Sequence, residues 1–373
     1  MKHTIATCTM VSACFAGALM AAGRVSAPPD PMPPASWDVR AAAAYLDGRQ
    51  AWWLTWPTAQ RDHDTACVSC HTALPYAIAR PALGAALAEH DEPAAERTMR
   101  EQVVKRVRLW REVEPFYSDQ ARGLPKTSES RGTEAILNAV VLSTRDARAD
   151  ALSDDGRLAF ENLWRLQLKA GADSGGWAWL DFHNEPWEAP GSQYFGNALA
   201  AIAIGTAPGG YASSPAIQDG VKALGAYLRR GTDKETLLNR AMILWAAAKI
   251  PDVLAAAARQ RIVDDLIGKQ QSDGGWSTAS LVGDWQRHDA TPLDPNTDGY
   301  ATGFITFVLE QANVSTARPP IARGRAWLVQ HQDRATGQWS ASSVNKARDP
   351  GTDIGKFMSD AATAYAVLAL TTP

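Results

Sequence analysis

The chain has 373 residues, 46% of them hydrophobic and 21% charged, with a formal charge of −3. That length and balance provide a substantial core, and no lysine or arginine block interrupts it, which excludes a basic nucleic-acid-binding surface. Two of its four cysteines, Cys8 and Cys14, fall within the first fourteen residues.

The N-terminus begins with Lys2 and runs through an apolar stretch from Ile5 to Ala22. It ends in small residues, the pattern of a secretory signal peptide cleaved after Ala27. Losing Lys2 and Arg24 takes the formal charge from −3 to about −5. "VSAC", ending at Cys14, resembles a bacterial lipoprotein box, although the apolar run continues past it. As a membrane anchor the run sits at the low edge of the ~17–25 residues a bilayer requires. The expected organisation is a leader over 1–27, a Pro-rich linker over 28–43 and one domain over 44–372. The mature protein would be periplasmic or secreted, with no transmembrane span.

Next comes "DTACVSCHTALPYA", residues 64–77, which holds the only cysteines of the mature chain. A disulfide between Cys67 and Cys70 would close a tiny loop and restrain the unfolded chain little. A thioredoxin-like pair belongs to a βαβ unit, and no such strands are predicted. A zinc site could recruit His63, Cys67, Cys70 and His71, but zinc patterns pair two separated halves. Cys-x-x-Cys-His is the attachment signature of c-type haem. In that chemistry Cys67 and Cys70 form the thioethers, and His71 rises beside them as proximal iron ligand. One covalent haem c is expected.

From there on the pattern is helical, and no period-2 run is long enough for a confident strand. Two kinds of helix alternate. "RQRIVDDLIGKQ" puts Ile262, Val263, Leu266 and Ile267 on one stripe, so one face is wet. "YFGNALAAIAIG", "GYATGFITFVL" and "SDAATAYAVLAL" are apolar or small on nearly every side, which predicts full burial. Gly-Trp turns ending at Trp177, Trp276 and Trp339 separate members of such pairs. Six hairpins are predicted, over 44–87, 103–147, 159–207, 221–250, 259–314 and 321–372, the second and fourth without that turn. Six pairs with wet outer and dry inner members predict an all-α fold, an (α/α)6 toroid. An open solenoid is the competing arrangement.

"QQSDGGW" at 270–276 and, more loosely, "QHQDRATGQW" at 330–339 resemble the Q-W turns of squalene-hopene cyclases and related prenyltransferase-like toroids. The likeness extends over most of 44–372. It implies that Gln270 or Gln271 with Trp276, and Gln332 with Trp339, tie outer helices to inner ones. The Asp-x-Asp-Asp acid motif of those cyclases has no counterpart here, so the resemblance does not extend to cyclisation chemistry.

Within the repeat, "CVSCHTALPYA" takes the position of "DPNTDGYATGF", the loop that enters an inner helix. In a toroid all such loops open on one face, which puts the haem at a cavity mouth. The equivalent loops supply the candidates for the distal iron position: His183 first, then His288 and Met358. The same loops carry Glu185, Glu188 and several aspartates, and tryptophans at 52, 53, 56, 179 and 187 crowd nearby. A methionine or histidine ligand would make an electron-transfer protein, and an open face beside an acid-base group would favour oxidation. The expected function is redox, with a redox partner protein or an apolar small molecule as partner. A terpenoid enzyme with a structural haem, and a non-catalytic haem sensor or scaffold, are the alternatives.

Overall fold

The structure, a computed structural model, describes Met1 and residues 36–372. The expected leader, Cys14 and the first half of the Pro-rich linker lie outside the described residues. The described part is all-α. Its thirteen helices are α1 (Val39–Thr55), α2 (Ala73–Leu87), α3 (Ala94–Arg108), α4 (Asp119–Arg122), α5 (Lys126–Arg148), α6 (Asp154–Arg165) and α7 (Ser192–Thr206), followed by α8 (Gln218–Gly231), α9 (Leu237–Lys249), α10 (Ala256–Gly268), α11 (Gly299–Gln311), α12 (Pro319–His331) and α13 (Phe357–Thr371). The one sheet is a ribbon of two short antiparallel strands, β1 (Gln60–Arg61) and β2 (Thr65–Ala66).

Local chemistry sets the starts. Asp38 accepts from the Ala41 N–H at 2.9 Å, so α1 begins at Val39 rather than at residue 44. Ser153 and Asp298 cap α6 and α11 in the same way. Such side chains satisfy amide groups that have no partner within the helix.

The alternation read from the sequence appears as two layers. Helices α2, α5, α7, α9, α11 and α13 are buried over most of their surface. The longer partners before them bury a stripe; in α10 that stripe is Ile262, Val263 and Leu266, with Ile267 at its edge. The inner helices pack in order, α2 on α5, then α7, α9, α11 and α13, and α13 packs on α2. Each outer helix from α6 onward leans on the inner helix of the pair before it: α6 on α5, α8 on α7, α10 on α9, α12 on α11.

The Gly-Trp turns make that offset. Trp177, Trp276 and Trp339 are fully buried and donate their indole N–H groups to Leu163, Leu266 and Leu328. A glutamine precedes each. Gln167 donates to the carbonyls of Gly175 and Gly220, and Gln270 to those of Gly274 and Pro320. Gln332 does the same to Gly337 and Asp38, and accepts from the Asp38 N–H at 2.6 Å. Each turn is thereby fastened to the start of the next outer helix, and Gln332 fastens the last pair to the first. Gln270 and Gln332 thus join their turns to the next outer helix rather than to an inner one, and Gln167 is a third member. Contrary to the expectation, the first pair also lacks the Gly-Trp turn, and the ribbon β1–β2 stands in its place.

Candidate functional site

Cys67 follows β2 directly, and its N–H continues the ribbon by donating to Ala59 at 2.9 Å. Trp53 of α1 donates its indole N–H to the Cys67 carbonyl at 2.7 Å. The chain then turns into α2 because the Ser69 hydroxyl accepts from the Thr72 and Ala73 N–H groups at 3.2 and 3.0 Å. Cys70 and His71 are carried on this turn, at the N-terminal end of an inner helix.

Aromatic rings confine the His71 imidazole. Phe357 stacks on it with centroids 3.7 Å apart, Trp53 meets it edge-on at 5.0 Å, and Trp187 lies at 6.1 Å. Burial is the main cause that holds its pKa down to about 3, with the Arg49 and Arg348 charges adding to it. The ring is therefore neutral at any physiological pH. Its Nδ1 lies 2.8 Å from the Thr72 hydroxyl oxygen, and Thr72 donates its only proton to Asp360 at 2.6 Å. The hydroxyl can therefore only accept from His71, which places the imidazole proton on Nδ1 and the free lone pair on Nε2.

Asp360 anchors this chain. It is 1% exposed and also accepts from Arg49 Nε at 2.7 Å and the Tyr45 hydroxyl at 2.8 Å. Burial raises its pKa, and the Arg49 charge with the three donors works against that. Arg49 is held in turn by the Asp353 carboxylate at 2.7 Å. Asp360 was not foreseen as a site residue; the signal was an acid in the first turn of an otherwise apolar helix.

Neither thiol is poised as a thiolate. Burial pushes Cys67 up to about 11 and Cys70 well above the ordinary value, with Glu188 adding in both. Reactive dithiols and zinc thiolates need the opposite environment. His63 is partly exposed and bonded to Asp62 at 2.9 Å, and among the described residues no group of three His, Cys, Asp or Glu side chains is set to hold a metal ion.

Cys70 and His71 form one wall of a cavity of about 130 Å³ that is partly open to solvent. Two other loops complete it. The loop before α7 contributes Asn184, Glu185, Trp187 and Glu188; the segment leading into α13 contributes Asn345, Arg348, Phe357 and Met358, among others. The loop before α11 is tied in from outside, through His288 on Glu185 at 2.8 Å and Arg287 on the Ser343 carbonyl at 2.8 Å.

Of the three distal candidates, Met358 lies on the cavity wall and is 3% exposed. The His183 side chain is 71% exposed and the His288 side chain 50% exposed, and neither is part of that wall. Glu188 is, and burial raises its pKa to about 7, with Arg61 and Lys126 opposing. Arg348, also on the wall, makes no ion pair among the described residues, and burial lowers its pKa. Asp298, expected among the acids of these loops, caps α11 and accepts from Thr278.

No known protein-family model matches the chain, and no curated protein matches it.

Proposed function

We propose that this is an exported c-type haem protein with a redox function, built on an (α/α)6 toroid. The toroid reading is supported by the packing of α13 on α2 and by the bonds between Gln332 and Asp38, which join the last helix pair to the first.

The observation that carries the haem reading is the state of His71. Its imidazole is neutral, its Nδ1–H is tied through Thr72 to Asp360, and its Nε2 lone pair is free beside a cavity whose wall includes Cys70. A metal-binding imidazole with its far nitrogen bonded toward a carboxylate is the arrangement that fixes the tautomer and strengthens the donor. The other residues fit the same group. Two uncharged thiols, three residues apart in the chain, suit thioether attachment better than ionic chemistry. Trp187, Phe357 and Met358 offer apolar surface to a porphyrin, and Arg348 offers an unpaired cation to a propionate.

Haem held there would supply one-electron chemistry at its iron. Cys67 and Cys70 would hold it, and His71 through Nε2 and Met358 through its thioether would be the residues available to its iron. A buried thioether on the same wall favours electron transfer over oxidation of a bound substrate.

The test is direct. The protein is produced with a c-type maturation system, denatured, and assayed for haem that stays on the chain; native ferrous spectra follow with and without carbon monoxide. Retained haem lost in Cys67→Ala/Cys70→Ala, with a spectrum indifferent to carbon monoxide, is the expected result. Haem that dissociates on denaturation overturns the attachment, and rapid carbon monoxide binding overturns the electron-transfer role.

A further inference from the structure

At their C-terminal ends the six inner helices line a second cavity, of about 320 Å³ and open to solvent on one side. It shares no lining residue with the cavity beside His71. Along α13 the two are ten residue steps apart, from Met358 to Leu368, about 15 Å of helix.

Its lining is layered. A lower ring consists of Ile78, Val140, Ile202, Trp245, Phe307 and Leu368, one residue from each inner helix. Four residues further along the same helices stand Ala82, Thr144, Thr206, Lys249, Gln311 and Thr372. Positions i and i+4 lie on one helix face, a turn apart. The lower ring is apolar apart from the Trp245 indole N–H, which has no partner among the described residues, and the upper ring is polar except for Ala82.

One charge stands in this lining, that of Lys249. Among the described residues it has no ion pair, and burial alone lowers its pKa. Thr372 donates its hydroxyl to the Leu368 carbonyl at 2.8 Å, so its proton is already committed. The free donors of the upper ring are the Lys249 ammonium, the Gln311 amide and the Thr144 and Thr206 hydroxyls, all of which can bond an acceptor, and only the first is charged. The helix C-termini around the cavity carry partial negative charge. Arg325 binds the last carbonyls of α13 at 2.8–3.2 Å, and a unit charge in direct contact outweighs partial charges that fade within one turn.

We propose that this cavity binds a single-chain amphiphile with a carboxylate head, its tail on the lower ring and its head on Lys249. The ligand supplies the counter-charge that the lining lacks, and its chain covers apolar surface at the end of the ring.

Dodecanoate, below its micellar concentration, is the probe. It is titrated into the full protein by calorimetry and by tryptophan fluorescence, beside dodecanol and dodecyltrimethylammonium. Dodecanoate is expected to bind at one site and at least tenfold more tightly than either. Lys249→Met, which keeps the apolar stem, should remove that preference, Lys249→Arg should keep it, and Thr206→Trp should block all binding. Dodecanol binding as tightly as dodecanoate, an unchanged affinity in Lys249→Met, or no binding of dodecanoate at all each overturns the proposal. The ligand series on the unaltered chain decides the matter even where a variant fails to fold. Haem content does not enter the test.

Discussion

Thr72 donates its hydroxyl proton to Asp360 at 2.6 Å, a bond between residues 288 positions apart. It connects the residue after His71 to the first turn of the last helix, and it determines which imidazole nitrogen keeps a free lone pair.

Thr72→Val removes that bond and keeps the shape. The imidazole then gives less electron density to the iron, so ferric haem is less stabilised and the midpoint potential rises. A redox titration of the haem-loaded variant checks this; a potential that stays put or falls contradicts the relay.

Asp360→Asn acts on stability instead. It leaves the Arg49 guanidinium, bonded to Asp360 at 2.7 Å, without its buried partner. The expected loss is about 3–5 kcal/mol, the usual cost of breaking a buried pair from one side. Denaturant unfolding measures it, and Asp353→Asn, whose side chain is 51% exposed, is the milder control.

Glu188 gives the site a pH dependence. Its carboxyl, raised by burial to about 7, shares the cavity wall with Cys70 and His71. As pH rises through 7 the new negative charge favours ferric iron, so the potential falls; Glu188→Gln should flatten that slope. The same raised pKa makes folding bind a proton more tightly than the unfolded chain does. Its stabilisation is full below about 4.5 and is lost as pH rises through 7.

Replacement of the distal candidates separates them. Met358→Ala should alter the ferric spectrum and admit carbon monoxide, whereas His183→Ala and His288→Ala should leave both unchanged. Only Met358 of the three lies on the wall with His71. A changed spectrum in either histidine variant reverses the assignment.

Two glycines with the same backbone separate local strain from packing. Gly171 and Gly337 have φ of 81° and 82°. A Cβ on Gly171 meets nothing, but on Gly337 it lies 2.2 Å from the Ala41 carbonyl oxygen. Gly171→Ala should cost about 1–2 kcal/mol, and Gly337→Ala more than about 4 kcal/mol. Equal melting temperatures would mean that this turn is not packed on α1.

What the sequence by itself determined is local. Apolar spacing separated wet helices from dry ones, because a face is set by residues three and four apart. The Gly-Trp turns were legible because each Trp bonds a carbonyl within fourteen positions, as Trp177 does to Leu163. Cys67, Cys70 and His71 stand out in the sequence for the same reason, since the pattern they form depends on adjacency alone. The tertiary structure decided the rest. Which loops share a cavity depends on contacts among helices far apart in sequence. Nothing local distinguishes buried Met358 from exposed His183, or marks Asp360 as the acid behind His71. Lys249 reads in sequence as the ordinary basic end of a helix; only the convergence of six helix ends leaves it facing an apolar cavity without a counter-charge.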